Sequence, residues 1–600
     1  MDSSRLYQKL PFPDSIRLLE LTQRGSDHST CGRLLLSRLG DTPCFAALSY
    51  VWGCASSNDP LFQVNGFELK IRQSLAYALD SLLSSGNKSL LWIDQICIDQ
   101  ENDLEREHQV KLMSKIFRQA QRVIFWLGPH EKDTKYAFDL LKVLAVNATD
   151  SKIWNEAVQS LNRAGFFSHP SDLFNPAKVS FLALAGLLNR PWFSRVWIIQ
   201  EVVLASKLEF LCGGSTIEGS ILFEVVQMIT SIIHDPPMPW LLKPYRHAIK
   251  LGQLRAQVAG GIHCSYPHLA QTFSTWNCKE IHDRLNALFG VVFLNDPLSA
   301  WFQPKYSITG PELYIRFARD YIKHSGNLDI LHFAGCGDSE KFSLSKVNGT
   351  FLLQLSPPAD DVPSWAPDWR VQSRPLVLLP HPAYHVQSHF AATTSEPDSY
   401  LDEECQRLRV RALLVDEITV CGPPYYASFC RGIQITEHEI FGIWYEMMKG
   451  HFDSNEFESI FSSTIVMDAK VTLTERSAMN VHRKDIAPGF KHWMKRLMQD
   501  AEPFHSDDSD EPSEGAAHFS YVAEEICRNR TMFVTKNGRL GLGSTHVSPG
   551  ASIYLIHGMK TPFVVHENMY GHTLRGECYV HGLMDQQAQQ SHSDIDLSLM

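Results

Sequence analysis

The sequence predicts an α/β fold for the N-terminal third of the chain, because three apolar runs alternate there with segments of helical periodicity. The apolar runs cover residues 45–51, 89–98 and 122–127. Apolar side chains recur at helical spacing over residues 70–84, and Asn102 followed by Glu105 is a capping-box pattern that begins a second helix. Strands that are joined through helices pair in parallel. We therefore expect the three runs to be neighbouring parallel strands.

In the rest of the chain, the predicted secondary structure differs from one segment to the next. The middle is helical by pattern, except for residues 363–370, where two prolines exclude a regular helix interior and suggest a strap between domains. Residues 506–514 are acidic and of low complexity, which predicts a solvated loop. Asn537-Gly538 lies between short apolar runs and is a strong hairpin signal.

These patterns divide the chain into five regions. We expect a lead-in at residues 1–43, an α/β domain at 44–215 and a mainly helical middle region at 216–420. A helical or linker region with the acidic loop follows at 421–515, and a β-rich module at 516–600.

The composition excludes several classes of protein. Of the 600 residues, 44% are hydrophobic and 20% are charged, which is typical of globular proteins. The net charge of −11 argues against nucleic acid as a partner. No apolar run approaches the ~18–20 residues of a membrane span, and the first residues do not have the pattern of a signal peptide. The 13 cysteines are scattered without metal-ligand spacing, so we expect reduced thiols, no bound metal and a cytoplasmic location.

Four motifs follow one another in the first third of the chain. They are ALSYVWG at 47–53, LWIDQICIDQ at 91–100, FWLG at 125–128 and RPWFSRVWIIQE at 190–201. Together they resemble the signatures of the HET domain, the heterokaryon-incompatibility domain of filamentous fungi. The strong resemblance covers residues 44–212, and a weaker one continues through Asp283-Arg284 to residue 585. The resemblance implies a role in non-self recognition and a programmed cell-death or growth-arrest response.

A second resemblance concerns chemistry. A strand that ends in Ser49-Tyr50, followed later by Arg195-x-Trp197-x-x-x-Glu201 on a helix, is similar to the layout of TIR domains. Some TIR domains cleave NAD with a single glutamate at that helical position. The resemblance implies a flavodoxin-like or TIR-like parallel sheet in the N-terminal domain, with Glu201 as the catalytic carboxylate.

The residue types at this position suit such a reaction. Trp197 and Glu201 are four residues apart and share one helix face. Cleavage of the bond between nicotinamide and ribose develops an oxocarbenium ion, which one carboxylate can stabilise while a flat side chain holds a base. In the alternative interpretation, Glu201 forms an ion pair with Arg195 or Lys207 and Trp197 is a core residue.

Further candidate residues follow the first two strands. Ligands of open α/β sheets bind outside the carboxyl ends of strands, although aromatic residues there can instead close the sheet over the core. A carboxylate at Asp94, within an apolar run, needs a partner, which is Arg106, Arg195 or a set of ribose hydroxyls. Asp283 and Arg284 are expected to form a buried or interdomain ion pair. The candidate binding residues are Ser49, Tyr50, Trp52, Gly53, Asp94, Arg195 and Trp197.

The sequence therefore predicts an effector or regulator of fungal non-self recognition and programmed cell death. In one hypothesis it cleaves NAD through Glu201, so that NAD is a substrate and no cofactor is required. In the other it is a non-catalytic signalling or adaptor protein whose HET domain works by association. Candidate partners are an incompatibility or sensor protein and a second copy of the chain, joined through the HET domain.

Overall fold

The computed structural model shows two compact units, which are formed by Met1–Leu269 with Trp276–Ser307 and by Ala270–Thr275 with Ile308–Met600. The residues that the structure describes are 6–24, 29–147, 176–233, 245–262, 264–292, 301–335, 342–347, 350–355, 361–371, 375, 377–378, 390, 392–393, 395–402, 407–426, 439–467, 487–497, 514–569, 571–584 and 594–600. The predicted acidic loop at 506–514 lies outside these residues, apart from Glu514.

The first unit contains a nine-stranded sheet. Its strands are β1 (Ser15–Arg24), β2 (Ser29–Arg38), β3 (Phe45–Ser49), β4 (Leu61–Val64), β5 (Phe67–Lys70), β6 (Leu90–Trp92), β7 (Arg122–Trp126), β8 (Leu208–Cys212) and β9 (Ser215–Glu218). They lie side by side in the order β5-β4-β2-β1-β6-β3-β7-β8-β9.

Helices connect these strands and continue beyond them. The helices up to residue 307 are α1 (Gln73–Ser84), α2 (Asp94–Cys97), α3 (Asp103–Gln119), α4 (Thr134–Asn147), α5 (Pro176–Leu188), α6 (Ile198–Leu204), α7 (Gly219–Ile233), α8 (Arg246–Ala259), α9 (Tyr266–Thr272), α10 (Asp283–Asn286) and α11 (Phe289–Val292). Short 3-10 turns occupy Leu39–Asp41 and Pro191–Ser194.

The predicted parallel strands are confirmed. β3 pairs in parallel with β6 on one side, where Ala47 faces Trp92, and with β7 on the other, where Ala47 faces Val123. β8 adds a fourth parallel strand beside β7. All five residues of β3 are buried, which is typical of a strand covered on both faces.

Two details of this unit differ from the sequence analysis. The run at 89–98 is a strand only as far as Trp92, and Asp94 begins helix α2 instead of interrupting a strand. The reason is local, because Asp94 Oδ1 accepts a hydrogen bond from the backbone N–H of Gln95 at 2.7 Å, which favours a helix start. In addition, β1 and β2 precede residue 44 and belong to the same sheet, so the region assigned to a lead-in contributes directly to the domain.

The second unit is built around another nine-stranded sheet. Its strands are β12 (Ser399–Asp402), β13 (Arg407–Tyr425), β14 (Arg530–Thr535), β15 (Leu540–Ser544), β16 (Ser552–Ile556), β17 (Phe563–Asn568), β18 (Gly571–Glu577), β19 (Tyr579–Val580) and β20 (Asp594–Leu599). The strands β10 (Phe342–Val347) and β11 (Thr350–Leu355) form a separate antiparallel pair. Pairing of β13 with both β20 and β16 closes β16, β17, β18, β20 and β13 into a ring.

Helices accompany this sheet. They are α12 (Gly310–Ser325), α13 (Glu439–Met448), α14 (Ser454–Ile465), α15 (Ala487–Leu497) and α16 (Glu514–Cys527), with 3-10 turns at Asp329–Phe333 and Lys449–His451. Aromatic residues of α13 to α16 pack together, as in the contact of Phe441 with Trp493 at 5.1 Å between ring centroids. The long strand β13 begins at residue 407, so the sheet takes a strand from the region predicted to be helical.

The hairpin prediction is confirmed. Residues between β14 and β15 turn the chain at Asn537-Gly538, and these two strands pair antiparallel. Gly538 has φ +72°, a left-handed conformation that glycine adopts without strain.

The proline and tryptophan segment at 363–370 contains no regular helix, as predicted, and it belongs to the second unit. Trp369 contacts Tyr314 and Phe317 of α12 at 5.2 and 5.4 Å between ring centroids. Both tryptophans of the segment are fully buried, which fixes it against that helix. No helix within the described residues is long and apolar enough to cross a membrane.

Candidate functional site

The candidate site centres on helix α6, which carries Glu201. The motif RPWFS before it forms a 3-10 turn at Pro191–Ser194, and the helix itself begins at Ile198. Ser194 does not cap the helix, because its hydroxyl donates to the Pro191 carbonyl at 3.0 Å. Every residue of α6 is buried, including Glu201 in its first turn.

Glu201 meets the carboxyl end of the central strand β3. The hydroxyl of Ser49, the last residue of β3, donates a hydrogen bond to Glu201 Oε2. Trp192 Nε1 in turn donates to Ser49 Oγ at 2.7 Å. Glu201 is only 4% exposed and Ser49 2% exposed, so this chain of hydrogen bonds is sealed from water.

Sequence reasoning missed Trp192. Its ring is fully buried and lies 5.0 Å from that of Phe125 in β7. A buried tryptophan needs an acceptor for its indole N–H, so the RPWFS motif did carry a signal for a polar partner. The spacing gave no indication that this partner was Ser49, 143 positions earlier.

A second cluster of hydrogen-bonded side chains surrounds Asp94. Trp52 Nε1 donates to Asp94 Oδ2 at 2.9 Å, and Tyr50 donates its hydroxyl proton to Gln95 Oε1 at 3.0 Å. Arg195 donates to the backbone carbonyl of Tyr50. The loop after β3 and the start of α2 are therefore joined through side chains that the sequence analysis selected as binding candidates.

Arg195 links the two carboxyl groups electrostatically. Burial raises the pKa of Glu201, an effect that the positive charge of Arg195 and the Ser49 hydrogen bond oppose. Burial likewise raises the pKa of Asp94, again opposed chiefly by Arg195. Each carboxyl is thus easier to protonate than an exposed one, and the two share a single nearby guanidinium.

The structure reduces the number of cations that can be partners of Asp94 and Glu201. Arg106 lies 3.1 Å from Asp103 in an exposed ion pair, whereas Arg195 is the main positive charge acting on Asp94. Lys207, the other cation suggested for Glu201, is exposed to solvent. In the structural interpretation, Asp94 therefore has the Trp52 indole as its hydrogen-bond donor and the positive charge of Arg195 acting on it electrostatically.

The candidate residues Ser49, Trp52, Trp197 and Glu201 do not all contact one another. Ser49 and Glu201 contact each other, but Trp52 binds Asp94, and the half-buried Trp197 instead interacts with Asp283, whose pKa burial raises and Trp197 lowers. Gly53 is exposed with φ +72° and begins an exposed loop, so it remains a candidate only for backbone contacts. The functional roles of these residues stay predictions.

Asp283 and Arg284 have separate partners. Tyr306 donates its hydroxyl proton to Asp283 Oδ1 at 2.7 Å, and burial raises the pKa of this carboxyl. Arg284 donates to the Trp276 carbonyl at 3.2 Å. Among the described residues, no three or more His, Cys, Asp or Glu side chains are grouped so that they could hold a metal ion.

The buried state of Glu201 predicts a pH-dependent stability. Because the folded pKa is raised above the usual 4.5, the contribution of this group to stability is complete below pH 4.5 and is lost as pH rises through the folded pKa. The Gln side chain of Glu201→Gln does not titrate. The melting temperature of this variant, measured relative to that of the wild type, should therefore increase as pH rises from 4.5 to 8. A pKa that is higher by one in the folded state corresponds to a free energy of about 1.4 kcal/mol.

The exposed Glu218 of β9 provides the control for this measurement. Glu218→Gln should follow the wild-type melting curve at every pH, since an exposed glutamate is hydrated in both the folded and the unfolded chain. Parallel curves for Glu201→Gln and the wild type would show that the Glu201 carboxyl is not desolvated.

The fold and the site define a class of protein. It combines an α/β domain, whose buried glutamate lies at the carboxyl end of a central parallel strand, with a C-terminal unit of antiparallel strands. The family described as "Heterokaryon incompatibility protein (HET)" matches residues 45–201, and the "Het-6 beta-barrel domain" matches residues 467–600. The chain thus contains a HET domain, followed by a match to the Het-6 beta-barrel domain.

A curated relative extends the similarity to nearly the whole chain. This chain is 24% identical over 679 aligned positions to the Neurospora crassa protein "Heterokaryon incompatibility protein 6, OR allele". The alignment covers 95% of this chain and 94% of the relative. No solved structure matches the chain.

Proposed function

We propose that this HET-domain protein acts in fungal non-self recognition as an effector of programmed cell death that cleaves NAD, with Glu201 as the essential carboxylate. The observation that carries the proposal is the desolvated Glu201 carboxyl at the end of β3, with Ser49 donating to it and Arg195 nearby. A carboxylate prepared in this way suits the stabilisation of positive charge.

The reaction needs few groups. The bond between ribose C1′ and the nicotinamide nitrogen breaks, and its electron pair leaves with nicotinamide as a neutral ring. An oxygen nucleophile, either water or another hydroxyl of the same ADP-ribosyl group, then forms a bond to C1′ and loses its proton to solvent. Ionised Glu201 would stabilise the ribosyl cation between these two steps.

The order of the parallel strands supports a ligand site here. The chain runs from β3 to β6 on one side of β3, and then from β6 to β7 on the other side. This reversal is the kind of switch point at which flavodoxin-like sheets bind ligands. Ser49 ends β3 and the loop with Trp52 follows it, which supports the flavodoxin-like or TIR-like interpretation of this domain.

Access to Glu201 requires a movement, because the carboxyl is 4% exposed. Residues 53–58, which follow Trp52, are exposed, and Asp59 anchors the far end of this loop through Arg72 at 2.6 Å. Displacement of the loop and of its Trp52 contact with Asp94 would open the strand end.

The second candidate function is a non-catalytic adaptor whose HET domain binds a sensor protein or another copy of the chain. The same closed geometry favours it, because Glu201 is buried and already accepts a hydrogen bond from Ser49, as a structural carboxyl would. In that case Glu201 would stabilise the domain and would never contact a substrate.

The deciding experiment compares Glu201→Gln with Glu218→Gln in the full-length chain. Gln keeps the size and hydrogen bonding of Glu201 but removes its charge. We expect nicotinamide release by the purified protein to fall by about 10²–10³. In cells, we expect the fall of NAD and the death of cells to be lost together, whereas Glu218→Gln behaves as wild type. Nicotinamide release is common to hydrolysis and cyclisation, so it tests both.

Circular dichroism and the melting temperature establish that each variant is folded. A folded wild-type protein that kills cells without releasing nicotinamide or lowering NAD would reject the enzyme and support the adaptor. Equal nicotinamide release by folded Glu201→Gln and wild type would remove Glu201 from the mechanism.

A further inference from the structure

Helix α6 cannot hold its conformation alone. It has seven residues, and isolated helices shorter than about 12–15 residues are marginal in water. Its position nevertheless decides where the Glu201 carboxyl lies relative to Ser49. The contacts that hold the helix are therefore as important to the site as the carboxylate.

The C-terminal end of α6 is capped by an arginine from α8. Arg255 donates from one guanidinium nitrogen to the carbonyl oxygens of Val202 at 2.5 Å and Ala205 at 2.8 Å. The last carbonyls of a helix lack partners within the helix, and a cation there also interacts favourably with the helix dipole. Arg255 is partly buried, and this burial lowers its pKa.

The N-terminal end of α6 is held by a carboxylate from α10. Trp197, directly before the helix, interacts with Asp283 and favours its ionised form, and Asp283 also accepts a hydrogen bond from Tyr306 at 2.7 Å. The backbone carbonyl of Trp197 accepts from the N–H of Glu201 at 3.5 Å, so the two side chains lie on successive turns. Displacement of Trp197 therefore displaces Glu201.

Backbone contacts fix the chain just before α6. The Val196 N–H donates to the Asn277 carbonyl at 3.0 Å, and the Asn277 N–H donates to the Ser194 carbonyl at 2.6 Å. Within the helix, Gln200 donates to the Asn286 carbonyl at 3.3 Å. A Cβ at Gly290 would overlap Ser114 of α3, so only a glycine at this position lets α11 approach α3 so closely.

The HET family match ends at residue 201. The residues that hold α6 from α8, from α10 and from the segment before α10 all come after that position: Arg255, Asn277, Asp283 and Asn286. We infer that α8, α10 and α11 form a clamp that completes the Glu201 site, and that Arg255 and Asp283 are its two positioning residues. Neither touches a substrate; each acts on Glu201 through α6. A fragment ending at residue 215 would lack the whole clamp. The inference depends on the proposed function only for its catalytic readout.

The test uses the full-length chain with Arg255→Met, which keeps the aliphatic stem and removes the donors. Arg255→Lys restores a donor, and Arg246→Met makes the same change at an exposed position of α8. We expect Arg255→Met to speed amide hydrogen exchange in residues 198–204 at least tenfold, with Arg255→Lys intermediate and Arg246→Met unchanged. A misplacement of about 1 Å can cost 10²-fold in rate, so kcat for nicotinamide release should fall by about 10–10² with KM nearly constant.

Asp283→Asn keeps the size and one acceptor oxygen, and it provides a second variant if Arg255→Met does not fold. We expect it to speed exchange in the same segment less than Arg255→Met does. Unchanged exchange of residues 198–204 in folded Arg255→Met or Asp283→Asn would overturn the clamp. If the wild type releases no nicotinamide, the proposed function fails, but the exchange measurement still decides the inference.

Discussion

Replacement of Arg17 by Met is expected to lower the free energy of unfolding by about 3–5 kcal/mol, because it leaves the largely buried Glu105 carboxylate without its charged partner and, among the described residues, with only the Asp99 N–H as a donor. The Arg17 side chain is 4% exposed and contacts Glu105 through two hydrogen bonds of 2.6 and 3.0 Å. It also donates to the carbonyls of Cys97 at 3.1 Å and Gln8 at 2.7 Å. One side chain thus joins β1, α2, α3 and the segment before β1.

The matched control is Arg33→Met, which breaks the pair of Arg33 with Glu20 between β2 and β1. This pair has a similar distance of 2.8 Å, but its side chains are 64% and 41% exposed. Exposed ion pairs contribute about 0–1 kcal/mol. Urea unfolding followed by tryptophan fluorescence compares the two variants, and equal shifts of their midpoints would contradict the importance of burial.

Glu577→Gln is expected to destabilise the second unit by about 3 kcal/mol, because Gln has one acceptor oxygen for two buried donors. Glu577 Oε2 lies 2.5 Å from His332 Nδ1, and Glu577 Oε1 accepts from the Leu378 backbone N–H at 2.7 Å. His332 and Glu577 are both 4% exposed. They join the 3-10 turn at Asp329–Phe333 to β18.

Asp594→Asn serves as its control in the same unit. Asp594 lies 3.1 Å from His557, so it also joins a histidine to a carboxyl, but the Asp594 side chain is 36% exposed. Asp594 also pairs with Arg411 at 3.1 Å, and we expect a change of about 1 kcal/mol or less because the Asp594 carboxyl is partly hydrated. Thermal unfolding monitored by circular dichroism measures both variants. A loss for Glu577→Gln no larger than that for Asp594→Asn would mean that the buried pair is not needed for stability.

Local patterns predicted the parallel strands at the centre of the first unit. Apolar runs and helical spacing predicted β3, β6 and β7 and their parallel pairing, since a helical connection leaves few other arrangements. The Asn537-Gly538 signal predicted a turn for a similar reason, because the turn depends on the backbone preferences of two adjacent residues.

Patterns failed where a segment depended on distant partners. Strand β1 carries Arg17 among its apolar residues, and burial of that arginine is possible only because Glu105 faces it from 88 positions away. Strand β13 is stable because it pairs with β14, β16 and β20, all of which follow it by more than 100 residues. No local pattern contains such information.

The candidate site shows the same division. The sequence by itself determined which residues have suitable chemistry, since Glu201, Ser49, Asp94 and Arg195 were selected by residue type, motif and strand position. Only the tertiary structure decided their partners: Ser49 with Glu201 and Trp192, Trp52 with Asp94, and Trp197 with Asp283. It also brought Arg255 to the end of α6. The physical reason is that residue type and local spacing fix what a side chain can bind, whereas packing of distant segments fixes what it meets.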